Sequence, residues 1–283
     1  MRGDPTPWKY TDDYYREYTR TTWNETAEQW TRVMRFLEPY SFDLMNKADA
    51  KVRERILDLA TGPGEPAMSL ARLVGPDGHV TGVDLSEKMI ELATQVARER
   101  RLDNAEFRVM DAEHLAFPDE SFDAVVSRFG FQIFTQPEAV AKEAYRVLKP
   151  NGRIALAVWS TAEKAPALHA LIGPMIEHAE PDETGYIPTP YELGGPGEMV
   201  TMLTSVGFHD LREERRNHQW VLADEKEYLD AMLHGTPMGH SIREEDPATQ
   251  EKIIAKTVRN LQPWRTRRGF EIPCECVLVT GRK

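Results

Sequence analysis

The chain lacks the features that define several large classes of protein. Its 283 residues include only two cysteines, which excludes a disulfide-stapled scaffold and a four-cysteine zinc site. No apolar run approaches the ~18 residues that a membrane-spanning helix needs, and no apolar segment follows the charged residues near the start. We therefore expect neither a membrane span nor a signal peptide. The sequence contains no repeat and no low-complexity tract.

Positive charge is also scarce. Lys and Arg number 35 against 46 Asp and Glu, which gives a net charge of −11 and argues against a nucleic-acid-binding surface. The hydrophobic fraction of 41% and the charged fraction of 29% are ordinary for a globular enzyme. Cys274 and Cys276 stand two apart in a predicted strand, so we interpret them as core or pocket-wall thiols in a reducing cytoplasm. No group of residues has the spacing of a metal site.

From about residue 55 the sequence alternates between strand and helix patterns. Short apolar runs end in turn residues, as buried parallel strands do. The runs between them have helical periodicity: Ser86 is placed to cap one helix, and Thr135 to Glu138 has the pattern of a capping box for another. The predicted strands are 55–61, 79–85, 105–111, 122–127 and 152–159. This alternation predicts an α/β fold with a parallel sheet covered on both faces.

The N-terminal region is predicted to be helical. One apolar stripe falls at helical spacing on Trp23, Ala27, Trp30, Met34 and Leu37. We expect a single domain in three parts. These are a helical lid segment at 1–50, a core at 51–160, and a completion of the sheet with substrate-cap helices at 161–283.

The region beyond residue 160 departs from the regular alternation. Helical stretches at 165–179 and 198–206 are mixed with loops rich in Pro and Gly. Two more strands are predicted at 208–222 and 273–280. A helical insertion, 224–262, lies between them and is expected to cover the acceptor.

The predicted core strands end in residues that carry binding chemistry. Asp58 and a glycine-rich turn (62–64) stand at the end of the first strand, Asp84 ends the second, and Asp111 ends the third. Because open α/β sheets bind ligands at the carboxyl ends of their strands, we expect these groups to converge on one crevice. A carboxylate at Asp84 suits ribose hydroxyls, and one at Asp111 beside a backbone N–H suits the edge of adenine.

The first of these acids distinguishes between types of cofactor. A carboxylate at the end of the first strand repels phosphate and attracts an ammonium group, which favours a cofactor with an amino-acid end. The glycine pattern of dinucleotide-binding proteins also fails here, because Ala67 stands where a third glycine is needed. An aromatic-rich loop, 127–134, follows the fourth strand at the same edge.

Taken in order, these motifs resemble those of the class I S-adenosylmethionine-dependent methyltransferases. Within that family, the chain is similar to the branch of quinone-biosynthesis C-methyltransferases and many small-molecule methyltransferases. The matching positions are Asp58, Ala60, Gly62 and Gly64, then Gly82 to Ser86, then Asp111 and Ala112, then Leu148 to Gly152. The resemblance implies a Rossmann-like, seven-stranded, mostly parallel sheet with helices on both faces, completed by an antiparallel pair of strands.

The resemblance also implies S-adenosylmethionine as the cofactor and assigns its contacts. Its methionine end would lie by the glycine-rich turn, its ribose at Asp84, and its adenine at Asp111. The residues expected to bind the cofactor are Asp58, Ala60, Thr61, Gly62, Gly64, Asp84, Leu85, Met89, Asp111, Ala112, Glu113, Ser127, Arg128 and Phe129.

The acceptor implied by the resemblance is a small, partly apolar molecule. O- or C-methylation of a phenolic, quinone-like or natural-product acceptor is the expected reaction, while N-methylation of a small amine stays open. Two readings of another class also stay open, an NAD-dependent oxidoreductase and a non-catalytic cofactor-binding regulator. Arsenic methylation is disfavoured, because it needs several thiolates and the chain has two cysteines.

The sequence says less about the residues around the acceptor. No residue stands in a pattern that demands catalysis, and His234, expected in a loop between cap helices, is the one candidate base. The candidates for the acceptor site and its lid are Tyr14, Tyr18, Phe131, Phe134 and His234. We expect a small-molecule acceptor and no nucleic-acid partner, and the question of a homodimer stays open.

Overall fold

A computed structural model describes residues 12–179 and 189–283, without the side chains of residues 12–14. Within these residues the strands form one mixed sheet. The strands are β1 Arg55–Leu59, β2 His79–Asp84, β3 Ala105–Val109, β4 Phe122–Arg128, β5 Leu148–Trp159, β6 His209–Leu222, β7 Arg265–Thr266 and β8 Gly269–Arg282. Their order across the sheet is β3-β2-β1-β4-β5-β8-β6, with the two-residue β7 paired to β8.

The first five strands are parallel, and the last pair is antiparallel. In the parallel part, Ile56 lies opposite Val80 on β2 and Ala124 on β4. β8 runs antiparallel to both β5 and β6, with Trp159 opposite Cys276. The predicted fold class is confirmed, including the antiparallel pair beyond residue 207.

Helices connect the strands and flank the sheet. They are α1 Asp12–Thr26, α2 Thr31–Ala48, α3 Ala67–Val74, α4 Glu87–Glu99, α5 Pro137–Val147, α6 Pro166–Ile176, α7 Glu198–Val206, α8 Glu225–Gly235, α9 Pro237–Glu244 and α10 Pro247–Leu261. Ser86 caps α4 as predicted, since its hydroxyl accepts the Met89 N–H at 3.1 Å. None of the described helices is both long and apolar enough to span a membrane.

Buried side chains form an apolar layer on each face of the sheet. Neighbouring strand residues alternate between the two layers: Ile56 packs with α2, α3 and α6, whereas Leu57 packs with α5 and α7. This alternation follows from the strand periodicity, in which successive side chains point to opposite faces. Cys274 and Cys276 are both buried in the first layer, as expected for core thiols.

Two local predictions were wrong. The N-terminal stripe does not lie on one helix, because residues 27–30 form a turn between α1 and α2. The predicted capping box at Thr135 is also absent: Gln136 is the residue that precedes α5, and its side chain makes no capping hydrogen bond. Pro137 instead provides the start of that helix, because its fixed φ suits the first helical position.

Candidate functional site

The carboxyl ends of the parallel strands open onto one cavity. Asp84 from β2, Arg128 from β4 and Trp159 from β5 all line it, and α1, α2, α6 and the α8–α9 region close it from above. The predicted cofactor residues that line this cavity are Ala60, Thr61, Gly62, Asp84, Leu85, Met89, Asp111, Ala112, Glu113, Arg128 and Phe129. Most of the residues predicted from their place at the carboxyl ends of the strands therefore lie around one cavity.

The turn after β1 exposes its backbone to the cavity. Ala60 and Gly62 both have left-handed backbone conformations, with φ of 54° and 55°. A Cβ atom on Gly62 would meet no atom within 4 Å, so it would project into the open space of the cavity. Gly64 is different, since a Cβ there would lie 2.4 Å from Met68 Cε. It supports the turn by close packing and does not line the cavity.

Asp84 lies at the centre of the polar wall. Its carboxylate accepts the N–H of Gly62 at 2.9 Å and the N–H of Ser86 at 2.9 Å, so one side chain ties the glycine-rich turn to the start of α4. Burial raises the pKa of Asp84, and these backbone hydrogen bonds oppose the rise. Each oxygen keeps a lone pair for a further donor.

Asp58 lies beneath the turn and does not line the cavity. Its side chain is fully buried, and its Oδ2 accepts the Thr61 hydroxyl at 2.7 Å. Its Oδ1 has no hydrogen-bond partner among the described residues. Burial raises the pKa of Asp58 to about 7, although the Thr61 hydrogen bond and the nearby Arg128 charge oppose the rise. The group is thus poised to ionise near neutral pH when a cation approaches.

Asp111 and Glu113 are held by an arginine of α1. Arg16 Nη2 lies 2.5 Å from Glu113 Oε2, and Arg16 Nε lies 3.2 Å from Asp111 Oδ2. Asp111 also accepts the Glu113 N–H at 2.9 Å, and the buried Glu113 accepts the Gln136 N–H at 3.0 Å. The two acids therefore form a fixed, hydrogen-bonded corner of the cavity.

Helix α1 is also bound to the N-terminus of α4. Asn24 Oδ1 accepts the Ser86 hydroxyl at 2.6 Å and the Lys88 N–H at 3.1 Å, and Asn24 Nδ2 donates to Glu87. Arg20 pairs with Glu87 at 2.6 Å. These contacts cover the polar end of the cavity with α1.

The opposite end of the cavity is apolar. Phe129 and Trp159 stack with ring centroids 3.7 Å apart, and Trp23 and Trp30 meet edge-to-face at 4.8 Å. Further apolar lining comes from Val33, Leu37, Leu168, Ile172, Trp220, Met232 and Met238. Such a wall favours a flat, apolar ligand, because aromatic rings stack on planar surfaces.

Arg128 stands between these two ends. Its guanidinium donates to the Ser41 hydroxyl, and burial lowers its pKa although the charges of Asp58 and Glu65 oppose this. The adjacent Ser127 does not line the cavity, because its hydroxyl is buried and donates to the Leu59 carbonyl at 2.8 Å. Arg128 therefore offers a positive charge to an anionic group in the cavity.

The predicted acceptor and lid residues have different positions. Phe134 lines the cavity, whereas Phe131 is buried in the core and contacts Phe134 edge-on. Tyr18 hydrogen-bonds Ser241 on α9 at 2.6 Å and so fastens α1 to the cap. His234 is exposed in the last turn of α8, away from the cavity, and not in the loop that we expected. The side chain of Tyr14 lies outside the described residues.

Several lining residues were missed from the sequence. Trp159 could have been predicted, because it ends β5 at the same edge of the sheet. Gln132 lies inside the aromatic-rich loop 127–134 that the sequence analysis identified. The role of Arg16 could not be predicted from the sequence, because its ionic partner Glu113 is 97 residues away in the chain.

The comparison with protein families decides the assignment. A family model described as "Methyltransferase domain" matches residues 50–205. The chain belongs to this methyltransferase domain family. The family resemblance inferred from the motifs is thereby confirmed, and the matched residues contain the strands and turns that form the polar end of the cavity.

Curated relatives match this methyltransferase over its core. A demethylmenaquinone methyltransferase of Thermotoga maritima is 46% identical over 103 residues, which cover 36% of this chain and 42% of that protein. One of Lactobacillus johnsonii is 39% identical over 111 residues, 39% of this chain and 46% of that protein. An arsenite methyltransferase of Halobacterium salinarum is 39% identical over 103 residues, 36% of this chain and 26% of that protein. The matches thus span less than half the length of these relatives.

Solved structures share the fold over most of the chain. The YcgJ protein of Bacillus subtilis aligns with a TM-score of 0.59 at 22% identity, covering 86% of this chain and 98% of that one. Phosphoethanolamine N-methyltransferase 2 of Haemonchus contortus aligns with a TM-score of 0.61 at 16% identity, covering 95% of this chain and 60% of that one. At these identities the likeness describes the fold alone.

Proposed function

We propose that the protein is an S-adenosylmethionine-dependent methyltransferase that acts on a small, largely apolar molecule. The observation that carries this proposal is the division of one cavity into a polar end at β2 and β3 and an aromatic end at β4 and β5. A charged nucleoside fits the first end, and an apolar acceptor fits the second. Both open into the same space, as group transfer between two ligands requires.

The residues present fit the cofactor that the family implies. Gly62 leaves open space beside a left-handed turn, so a ligand can approach the backbone closely. Asp84 keeps lone pairs for ribose hydroxyls, and Asp111 with the Ala112 N–H provides an acceptor and a donor for adenine. Arg128 would suit the methionine carboxylate, and Asp58, buried beneath the turn, would supply negative charge to the ammonium end of the cofactor when ionised.

The residues of the chain position the reactants and exclude water. Bound S-adenosylmethionine supplies a methyl group that is already activated for in-line displacement. The polar wall fixes the nucleoside, while α1, held by Arg16 and Asn24, closes that end against solvent. The aromatic wall desolvates the acceptor and orients it, which raises the chance that its nucleophilic atom meets the methyl group in line.

The comparisons support a quinone-like acceptor more than arsenite. Two of the relatives above are named for demethylmenaquinone and one for arsenite. Both cysteines of this chain are buried in β8, and burial raises the pKa of Cys274 and brings that of Cys276 to about 12. Neither thiol is available as a thiolate at neutral pH, so the cysteines of this chain do not support arsenite as the acceptor.

Transfer of a radiolabelled methyl group tests the proposed function. The protein is incubated with labelled S-adenosylmethionine and a panel of hydroxylated naphthalenes, quinols and phenols, with primary amines and arsenite as comparison substrates. We expect label in the extractable aromatic products and none in the amines or arsenite. Transfer to arsenite alone would overturn the acceptor assignment, and the absence of S-adenosylhomocysteine binding would overturn the cofactor assignment.

A further inference from the structure

One side chain at the aromatic end carries free hydrogen-bonding capacity. Gln132 lies in a tight turn after β4, closed by a hydrogen bond from the Ile133 N–H to the Gly130 carbonyl at 2.9 Å. Its side chain lines the cavity beside Phe129 and Trp159. It is the kind of residue that sets specificity in an otherwise apolar wall, because few polar groups compete with it.

The orientation of the Gln132 amide is fixed by the backbone. Its Oε1 accepts the N–H of Trp159, the last residue of β5, at 2.9 Å. Two residues back along β5, the Ala157 carbonyl accepts the Phe129 N–H at 2.8 Å. The Gln132 amide thus continues the pairing of β4 with β5 after β4 has ended. The reverse orientation would place two donors face to face, so the oxygen must point to Trp159.

The nitrogen of the same amide is left for a ligand. Gln132 Nε2 makes no hydrogen bond to any residue within 12–179 and 189–283, and it is not among the enclosed polar atoms that lack partners there. An amide NH₂ donates and does not accept, so its partner must offer an oxygen or nitrogen lone pair. An ammonium group cannot serve, since it has only donors.

We propose that Gln132 recognises an oxygen of the methyl acceptor, and that the acceptor is a planar apolar compound bearing a carbonyl, enolate or phenolate oxygen. This inference rests on the proposed function, because it assigns the aromatic end to the acceptor. Neighbouring strands lie about 4.8 Å apart, so β5 is separated from β2 by roughly 14 Å. Gln132 is therefore too far along the sheet edge to serve the ribose at Asp84.

The contribution of the ligand oxygen to binding can be measured with two ligands that differ only in that oxygen. 1-Indanone and indane differ by one carbonyl oxygen, and their dissociation constants are measured by calorimetry with and without saturating S-adenosylhomocysteine. The Gln132→Glu variant keeps an oxygen for the Trp159 N–H but replaces the donor by a second acceptor. The control is Gln95→Glu on the exposed face of α4, which makes the same charge change elsewhere.

We expect the preference for indanone over indane to be about fivefold larger in the wild type than in Gln132→Glu, as one hydrogen bond predicts. Gln95→Glu should keep the wild-type preference. Gln132→Met removes the donor without adding charge and should also lose the preference, which covers the case in which the glutamate disturbs the turn. An equal preference in the wild type and both Gln132 variants would overturn the proposal, as would failure of the wild type to bind either probe. If the wild type prefers indanone over indane and loses this preference in the Gln132 variants, but does not bind S-adenosylhomocysteine, the role of Gln132 is supported. The proposed function would then be overturned.

Discussion

The two ends of the cavity are built on opposite physical principles. At β2 and β3, acids are fixed by backbone N–H groups and by Arg16, so the wall is preorganised for charged and hydroxylated groups. At β4 and β5, the wall is made of stacked rings and aliphatic side chains, with the Gln132 amide held in place because its Oε1 accepts the Trp159 N–H. Both ends are formed by residues at the carboxyl ends of parallel strands, and the residue type at each strand end decides which ligand that end can hold.

The largest effect is expected when the turn at the polar end is filled. Gly62→Val places a branched side chain in the space where the ligand approaches, at a φ of 55° that such residues avoid. We expect no measurable binding of S-adenosylhomocysteine by calorimetry, with a loss of stability of about 1–3 kcal/mol from the strained backbone. Gly197→Val is the control, because Gly197 has a φ of 77° and open space around it but does not line the cavity.

Asp84 provides the next test of the polar end. Asp84→Asn keeps the size of the side chain and one acceptor oxygen but removes the charge. The affinity for S-adenosylhomocysteine should fall by about 10- to 150-fold, the range for hydrogen bonds to a charged group. Asp103→Asn, at an exposed position, should leave the affinity unchanged. Wild-type affinity in Asp84→Asn would show that this carboxylate does not hold the ribose.

The affinity of the polar end for its ligand should depend on pH, and the raised pKa of Asp58 determines the direction of that dependence. Burial raises its pKa to about 7, so we expect the ionised Asp58 to attract the ammonium group of S-adenosylhomocysteine and to lose this attraction as it protonates below that pH. The affinity for S-adenosylhomocysteine should therefore fall about tenfold between pH 8 and pH 6. Asp58→Asn should reduce this dependence, leaving the part due to Asp84, whose pKa is also raised. A pH profile unchanged by the substitution would contradict the role given to Asp58.

The apolar end should be separable from cofactor binding. Met238→Ala trims one side chain of the aromatic and aliphatic wall. The affinity for indane should fall by about three- to tenfold through lost apolar contact, while the affinity for S-adenosylhomocysteine stays within about twofold. A large loss of S-adenosylhomocysteine affinity in this variant would contradict the assignment of the two ends.

Breaking the ion pairs of Arg16 should give the smallest effect on the site. Arg16→Gln leaves the buried Glu113 without its charged partner and should lower the free energy of unfolding by about 1–3 kcal/mol in chemical denaturation. Limited proteolysis should cut α1 faster. Cleavage of α1 at the wild-type rate would show that Arg16 does not fasten this helix.

The features of the fold and site that could be predicted from the sequence are those determined by residues close together in the chain. The positions of Asp84 and Asp111 follow from apolar runs that end in acids, and Ser86 follows from its place before a helical pattern. The turn at 27–30 was missed, because neither Gly nor Pro marks the break in the apolar stripe. His234 was placed in a loop because the turn-like run from Gly235 to Met238 follows it, yet α8 ends only at Gly235.

The other features of the site depend on contacts between residues that are far apart in the chain, which no local sequence pattern encodes. Arg16 meets Glu113 only after α1 folds over the sheet edge. The amide of Gln132 acquires its orientation only when β5 presents the Trp159 N–H to it. Such roles are properties of the assembled site and of the residues that meet there.

Calorimetric titration of the wild-type protein with S-adenosylhomocysteine, and separately with NADH, tests whether the cavity binds this cofactor. We expect one S-adenosylhomocysteine bound per chain and no heat of binding from NADH. Saturable binding of NADH, or no binding of S-adenosylhomocysteine at millimolar concentration, would contradict this expectation.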